Sequence, residues 1–130
     1  MSRGLAMVTL VVSDYDKAIA WFTGKLGFAL LSDTPLGDGK RWVVVAPPQG
    51  SGGRLLLAKA VGEVQSARIG DQTGGRVGFF LETDDFARDH AAFSAAGVRF
   101  LEEPRREDYG TVAVFEDLYG NKWDLIEPKA

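Results

Sequence analysis

Asp124 is the residue of this chain best placed for chemistry. It stands in Trp123-Asp124-Leu125-Ile126, a charge inside an apolar run. A carboxylate taken out of water is costly unless it is paired or used, so the position is either strand-exposed or functional. In use it would anchor a polar group of a ligand or accept a proton, with burial raising its pKa toward a working pH. Glu82 closes the run Val77-Gly78-Phe79-Phe80-Leu81-Glu82 and is the second candidate base. The one histidine, His90, shares a helical stripe with Phe86 and Phe93 and reads as a packed or half-exposed helix residue. The chain has no cysteine, hence no thiolate nucleophile, disulfide or Cys-ligated zinc.

These carboxylates need strands to hold them. Tyr109–Pro128 holds two apolar runs, Thr111–Phe115 and Trp123–Ile126, around Asp117-Leu118-Tyr119-Gly120-Asn121. Asp, Gly and Asn in the middle predict a hairpin. Upstream, Met7–Val12 is β-rich, and Ser13-Asp14 supplies a cap before Tyr15–Leu26, whose Tyr15, Ile19, Phe22 and Leu26 form a helical stripe. Gly27 ends that helix. Phe28–Leu31, Trp42–Ala46 and Leu55–Ala58 read as strands, with loops at Pro35–Lys40 and Pro47–Gly53. Lys59–Gly75 is a connector with a helical turn around Val61–Ile69. Val77–Thr83 is then a strand, Asp84-Asp85 a cap, Phe86–Ala96 a helix stopped by Gly97, and Val98–Leu101 a strand. Pro104–Asp108 reads as a charged loop entering the hairpin.

The pattern is a repeat. Overlaying Asp85 on Asp14, an offset of 85 − 14 = 71, brings Phe86 onto Tyr15, Phe93 onto Phe22 and Gly110 onto Gly39, with Gly97 meeting Gly27 after one deletion. Two copies of β-α-β-β-β, a first-helix segment VVSDYDKAIAWFTGKLGF and the closing hairpin resemble the vicinal oxygen chelate superfamily of glyoxalases, bleomycin resistance proteins and extradiol dioxygenases. The resemblance implies one α+β domain over residues 1–130, with modules at about 5–59 and 76–128. Their strands would form a curved mixed sheet with helices on its convex face and a ligand cavity on its concave face.

The same resemblance places metal-ligand positions at Met7, Leu56, Gly78 and Asp124. A thioether, an isobutyl group and a hydrogen cannot replace imidazole or carboxylate, so the expectation is a site without metal and without other cofactors. Side chains alternate between faces of a strand. Parity then sends Met7, Thr9, Leu56, Gly78, Phe80, Glu82 and Asp124 to the concave face. Trp42 is a candidate to stack on a ligand, although either Arg41/Val43/Val45 or Lys40/Trp42/Val44 could face inward. Ligand-binding candidates are therefore Met7, Thr9, Trp42, Leu56, Gly78, Phe80 and Asp124. Catalytic candidates are Asp124 and Glu82.

Composition narrows the classes further. The 130 residues carry a net charge of −3, so no basic field is available for nucleic acid or an anionic membrane. No apolar run approaches the ~20 residues of a membrane span, and the N-terminus lacks a secretory pattern, which makes the cytoplasm the default compartment. The expected partners are a small molecule and a second copy in a homodimer, since edge strands need cover. A metal-independent small-molecule binder is the leading reading. An enzyme using Asp124 or Glu82 as base is the alternative, and a metal-dependent lyase or dioxygenase comes third.

Overall fold

A computed structural model of the chain describes residues 2–50 and 52–130. The fold is α+β and divides into two compact units, Met1–Ile69 and Gly70–Ala130. In the first, β1 (Met7–Val12), α1 (Tyr15–Lys25), β2 (Ala29–Gly37), β3 (Lys40–Ala46), β4 (Arg54–Lys59) and the short α2 (Gly62–Ser66) follow in order. The sheet runs β1-β4-β3-β2, with β1 parallel to β4 and the other pairs antiparallel. In the second unit β5 (Val77–Glu82), α3 (Phe86–Ala95), β6 (Arg99–Phe100), β7 (Arg105–Glu107), β8 (Gly110–Glu116) and β9 (Lys122–Pro128) build the order β5-β9-β8-β6. There β5 is parallel to β9, and β7 pairs with β8. No helix among the described residues is long and apolar enough to cross a membrane.

Helices α1 and α3 start by the same chemistry and each stops at a glycine. Asp14 accepts the Lys17 backbone N–H at 2.8 Å and Asp85 accepts that of Arg88 at 3.0 Å, satisfying donors that a helix start leaves orphaned. Each ends in a left-handed glycine, Gly27 and Gly97. The residue beyond bonds back: Val98 N–H reaches the Phe93 carbonyl in the six-to-one closure of such a cap, and Phe28 N–H reaches one residue farther back, to the Phe22 carbonyl. Tyr15, Ala18 and Phe22 are the buried face of α1, and Phe86 and Phe93 that of α3. His90 lies between the rings of Phe86 and Phe100, 5.4 and 4.2 Å away, as a half-buried member of an aromatic stack.

The structure corrects three local expectations. The Pro35–Lys40 loop is mostly strand: β2 runs on to Gly37 and turns on Asp38 and Gly39, both with positive φ. Pro35 is tolerated because β2 is an edge strand, where a missing backbone donor costs little. The Pro104–Asp108 loop contains strand β7. The Val98–Leu101 strand shrinks to Arg99–Phe100, because Leu101 and Glu102 turn toward Val114. The hairpin pairs Gly37↔Lys40 and Glu107↔Gly110 differ by 107 − 37 = 70, so Gly110 matches Lys40 and not Gly39: the one-residue deletion carries through the module. The Pro47–Gly53 loop includes Ser51, which lies outside the described residues.

Candidate functional site

In the first unit, register assigns the faces. Leu10, Leu57 and Val43 form one buried row, and Thr9, Leu56 and Val44 the adjoining row on the opposite face. Two residues along, Trp42 shares the face of Val44, so the inward set is Lys40/Trp42/Val44. Arg41 turns to the helix side, where its guanidinium lies 5.0 Å over the Tyr15 ring and its backbone N–H donates to the Tyr15 hydroxyl at 3.2 Å.

Strands β3 and β4 pair only from Val43↔Leu57 to Val45↔Leu55. Beyond Val43 they part, and the gap is a cavity of about 280 Å³ lined by Thr9, Trp42, Leu56, Leu57 and Ala58 among others. Three of the expected ligand-binding residues, Thr9, Trp42 and Leu56, thus meet at one cavity. Trp42 remains 41% exposed, an indole without a packing role deep enough to hide it. Met7 is half-buried on the same strand as Thr9 but does not line this cavity.

In the second unit the corresponding row is Phe80, Asp124 and Val114. Phe80 is 67% exposed, a phenyl ring presented to solvent from mid-strand. The Oδ1 atom of Asp124 is buried with no hydrogen-bond partner among the described residues. Burial pushes its pKa up, Arg105 draws it down, and Glu102 adds to the rise. Arg105 and Glu102 are themselves joined at 3.0 Å, so the charged segment before the hairpin reaches the carboxylate electrostatically. Glu82 pairs with Ile126 in the next row and is exposed.

Gly78 does not share that face in register. The ladder shifts between Val77 and Phe79, which leaves Gly78 in a bulge, and a Cβ there would lie 2.6 Å from the Thr73 methyl. Thr73 fills the space beside Gly78.

A carboxylate whose folded pKa is raised contributes stability that is present at low pH and lost as pH rises through the folded value. Asp124 is therefore a net cost at neutral pH, and Asp124→Asn is expected to raise the thermal midpoint at pH 7. The gain should fade as pH falls toward the ordinary aspartate value of about 3.9. A lowered midpoint at pH 7 in thermal melts across pH 4–8 would show that attraction to Arg105 outweighs burial.

Met7, Leu56 and Gly78 carry no donor suited to a divalent ion, and among the described residues no group of three or more His, Cys, Asp or Glu side chains is arranged to hold one. Sequence reasoning missed Asp117, a buried turn carboxylate. It accepts from the Trp123 indole at 3.0 Å, the Asn121 amide at 3.1 Å, and the backbone N–H groups of Tyr119 and Asn121 at 3.0 Å. Its signal was the spacing Asp117…Asn121…Trp123, two donors following a turn carboxylate by four and six residues.

With this geometry in hand, comparison with known proteins gives consistent matches. The model of the Glyoxalase/Bleomycin resistance protein/Dioxygenase superfamily matches residues 4–125. An uncharacterized protein of Shewanella frigidimarina (strain NCIMB 400) is 51% identical over 128 residues, which span 98% of this chain and 95% of that one. The crystal structure of UcmS2 is 31% identical, covers 97% of this chain and 98% of its own, and superposes with a TM-score of 0.84. TnmS3, an antibiotic binding protein from Streptomyces sp. CB03234, is 30% identical over 99% of each chain, with a TM-score of 0.78.

Proposed function

Because the chain belongs to the Glyoxalase/Bleomycin resistance protein/Dioxygenase superfamily, we propose that it binds a small, flat, partly apolar molecule without a metal, as a cytoplasmic homodimer of single-domain chains. The observation that carries this reading is the first unit's cavity, where Thr9, Trp42 and Leu56 converge on an apolar space with one exposed indole. Such a lining, mostly apolar with a few polar groups, is the common form of a small-molecule site. The likeness to an antibiotic binding protein at 30% identity supports binding over turnover. The donor chemistry at Met7, Leu56 and Gly78 favours metal independence.

Native mass spectrometry tests both halves. The expected result is twice the chain mass, with adducts formed from a panel of planar one- and two-ring molecules. A monomer at micromolar concentration removes the dimer, and a panel without a single adduct removes the binding reading.

A second reading rests on the unpartnered Oδ1 of Asp124. A carboxylate held above its ordinary pKa by burial beside an exposed Phe80 is suited to take a proton from a bound ligand. In that reading Asp124 is the base and Glu82, exposed on the neighbouring row, is the lesser candidate.

A further inference from the structure

We infer that the cavity of the first unit selects an anion: a one- or two-ring planar molecule carrying a carboxylate or similar acidic group. This deepens the small-molecule reading above and rests on it.

The inference follows from which hydrogen-bonding groups around the cavity are free. The Tyr15 hydroxyl accepts the Arg41 backbone N–H, and its own proton meets no acceptor among the described residues. The Trp42 indole N–H is likewise without an acceptor there. Lys40 and Lys59 border the same space, and neither ammonium takes part in an ion pair among the described residues. Arg41 is different. Its guanidinium is already held by Asp16 at 3.0 Å and Asp33 at 2.8 Å, a group of net charge −1 that leaves Arg41 out of the free donors, and neither carboxylate lines the cavity. No acidic residue lines the space. Asp38, two residues from Lys40, sits in the hairpin turn and is not part of the lining.

The cavity therefore has an apolar floor of Leu56 and Ala58, a stacking indole, and a rim made of donors. A neutral apolar ligand would leave those donors to water. A cationic ligand would meet two like charges. A planar acid satisfies floor and rim together. The chain as a whole is acidic, so the attraction is local and does not come from a general basic field. The volume of about 280 Å³ lies at the small end of ligand cavities, which limits the ring system.

The test uses a matched pair, 2-naphthoate and its neutral isostere 2-naphthamide, titrated into ¹⁵N-labelled full-length protein and followed by NMR at the Trp42 indole signal. The naphthoate is expected to bind at least tenfold more tightly, a difference of about 1.4 kcal/mol. The Lys40→Gln/Lys59→Gln double variant should abolish that preference, weakening the naphthoate far more than the naphthamide; both positions are exposed, so the fold is retained, as circular dichroism would check. Raising the salt concentration should erode the preference as well. Trp42→Ala, followed at the backbone amide signals of Leu56 and Ala58 that line the same space, should weaken both probes. Equal binding of the two probes at Trp42 would overturn the anion inference and leave the binding reading standing. Failure of both probes to move the Trp42 signal would overturn the cavity as a ligand site altogether.

Discussion

Asp117→Ala is expected to cost about 4 kcal/mol, one of the largest losses available to a single substitution in this chain. The carboxylate is buried inside the closing turn and accepts from the Trp123 indole, the Asn121 side-chain amide and two backbone N–H groups. Its removal strands those donors in a place water reaches poorly, and each orphaned buried donor costs about 1–3 kcal/mol. Burial raises the pKa of this carboxyl, against the pull of the Trp123 and Asn121 hydrogen bonds. Asp117→Asn keeps one acceptor oxygen but turns an NH₂ group toward donors, and should recover only part of the loss. Urea unfolding followed by circular dichroism measures both. A loss below about 1 kcal/mol for the alanine variant would mean that the turn is held by its backbone bonds, Asp117 N–H to the Asn121 carbonyl and Gly120 N–H to the Asp117 carbonyl.

Phe115→Ala should be comparably severe, about 3–5 kcal/mol. The ring is fully buried and lies 5.9 Å from Phe93, 5.6 Å from Phe100 and 5.8 Å from Trp123. It is the junction of a run of rings that continues from Trp123 to Phe79 and from Phe100 through His90 to Phe86. Truncation empties the middle of that run, and the rings around it cannot all shift to fill it. Phe115→Leu, which keeps most of the volume, should cost much less. Urea midpoints of the two variants decide the matter: equal, small losses would show that the neighbouring rings collapse into the gap.

Elements with strong periodicity and clean end signals were legible in the sequence. The Asp14/Asp85 caps and the Gly27/Gly97 stops located both helices because those residues answer a local backbone need. The α+β repeat was legible for the same reason. Strand ends were less so. Pro35 reads as loop, and only the edge position of β2, a fact of tertiary pairing, makes it compatible with a strand. Asp38-Gly39, a pair suited to a tight hairpin turn, was the local signal that marked where β2 really ends. At the site, parity carried Thr9, Leu56 and Asp124 to their faces and failed at Gly78, because a bulge breaks the count of two. The faces of β3 could not be chosen from sequence, since Lys40–Ala46 is apolar on both sides after Trp42. Arg41 stacking on Tyr15 settles it. Charge partners were the least legible: Arg105 and Glu102 reach Asp124 only because β7 folds back along β8.

The borders of the two sheets carry a consequence for self-association during folding. A long, even edge strand is a template on which other chains grow fibrils. At nine residues β2 is long, and Leu30 and Leu31 are exposed on it. Yet its ladder is shifted between Leu30 and Ser32 and again between Pro35 and Gly37, and Pro35 offers no N–H. An incoming strand would lose register at these shifts. The second unit answers the same hazard by division, with β6 and β7 at only two and three residues. One edge of each sheet is thus guarded by a separate device, and a substitution that smoothed either one would create an aggregation-prone edge without touching the ligand cavity.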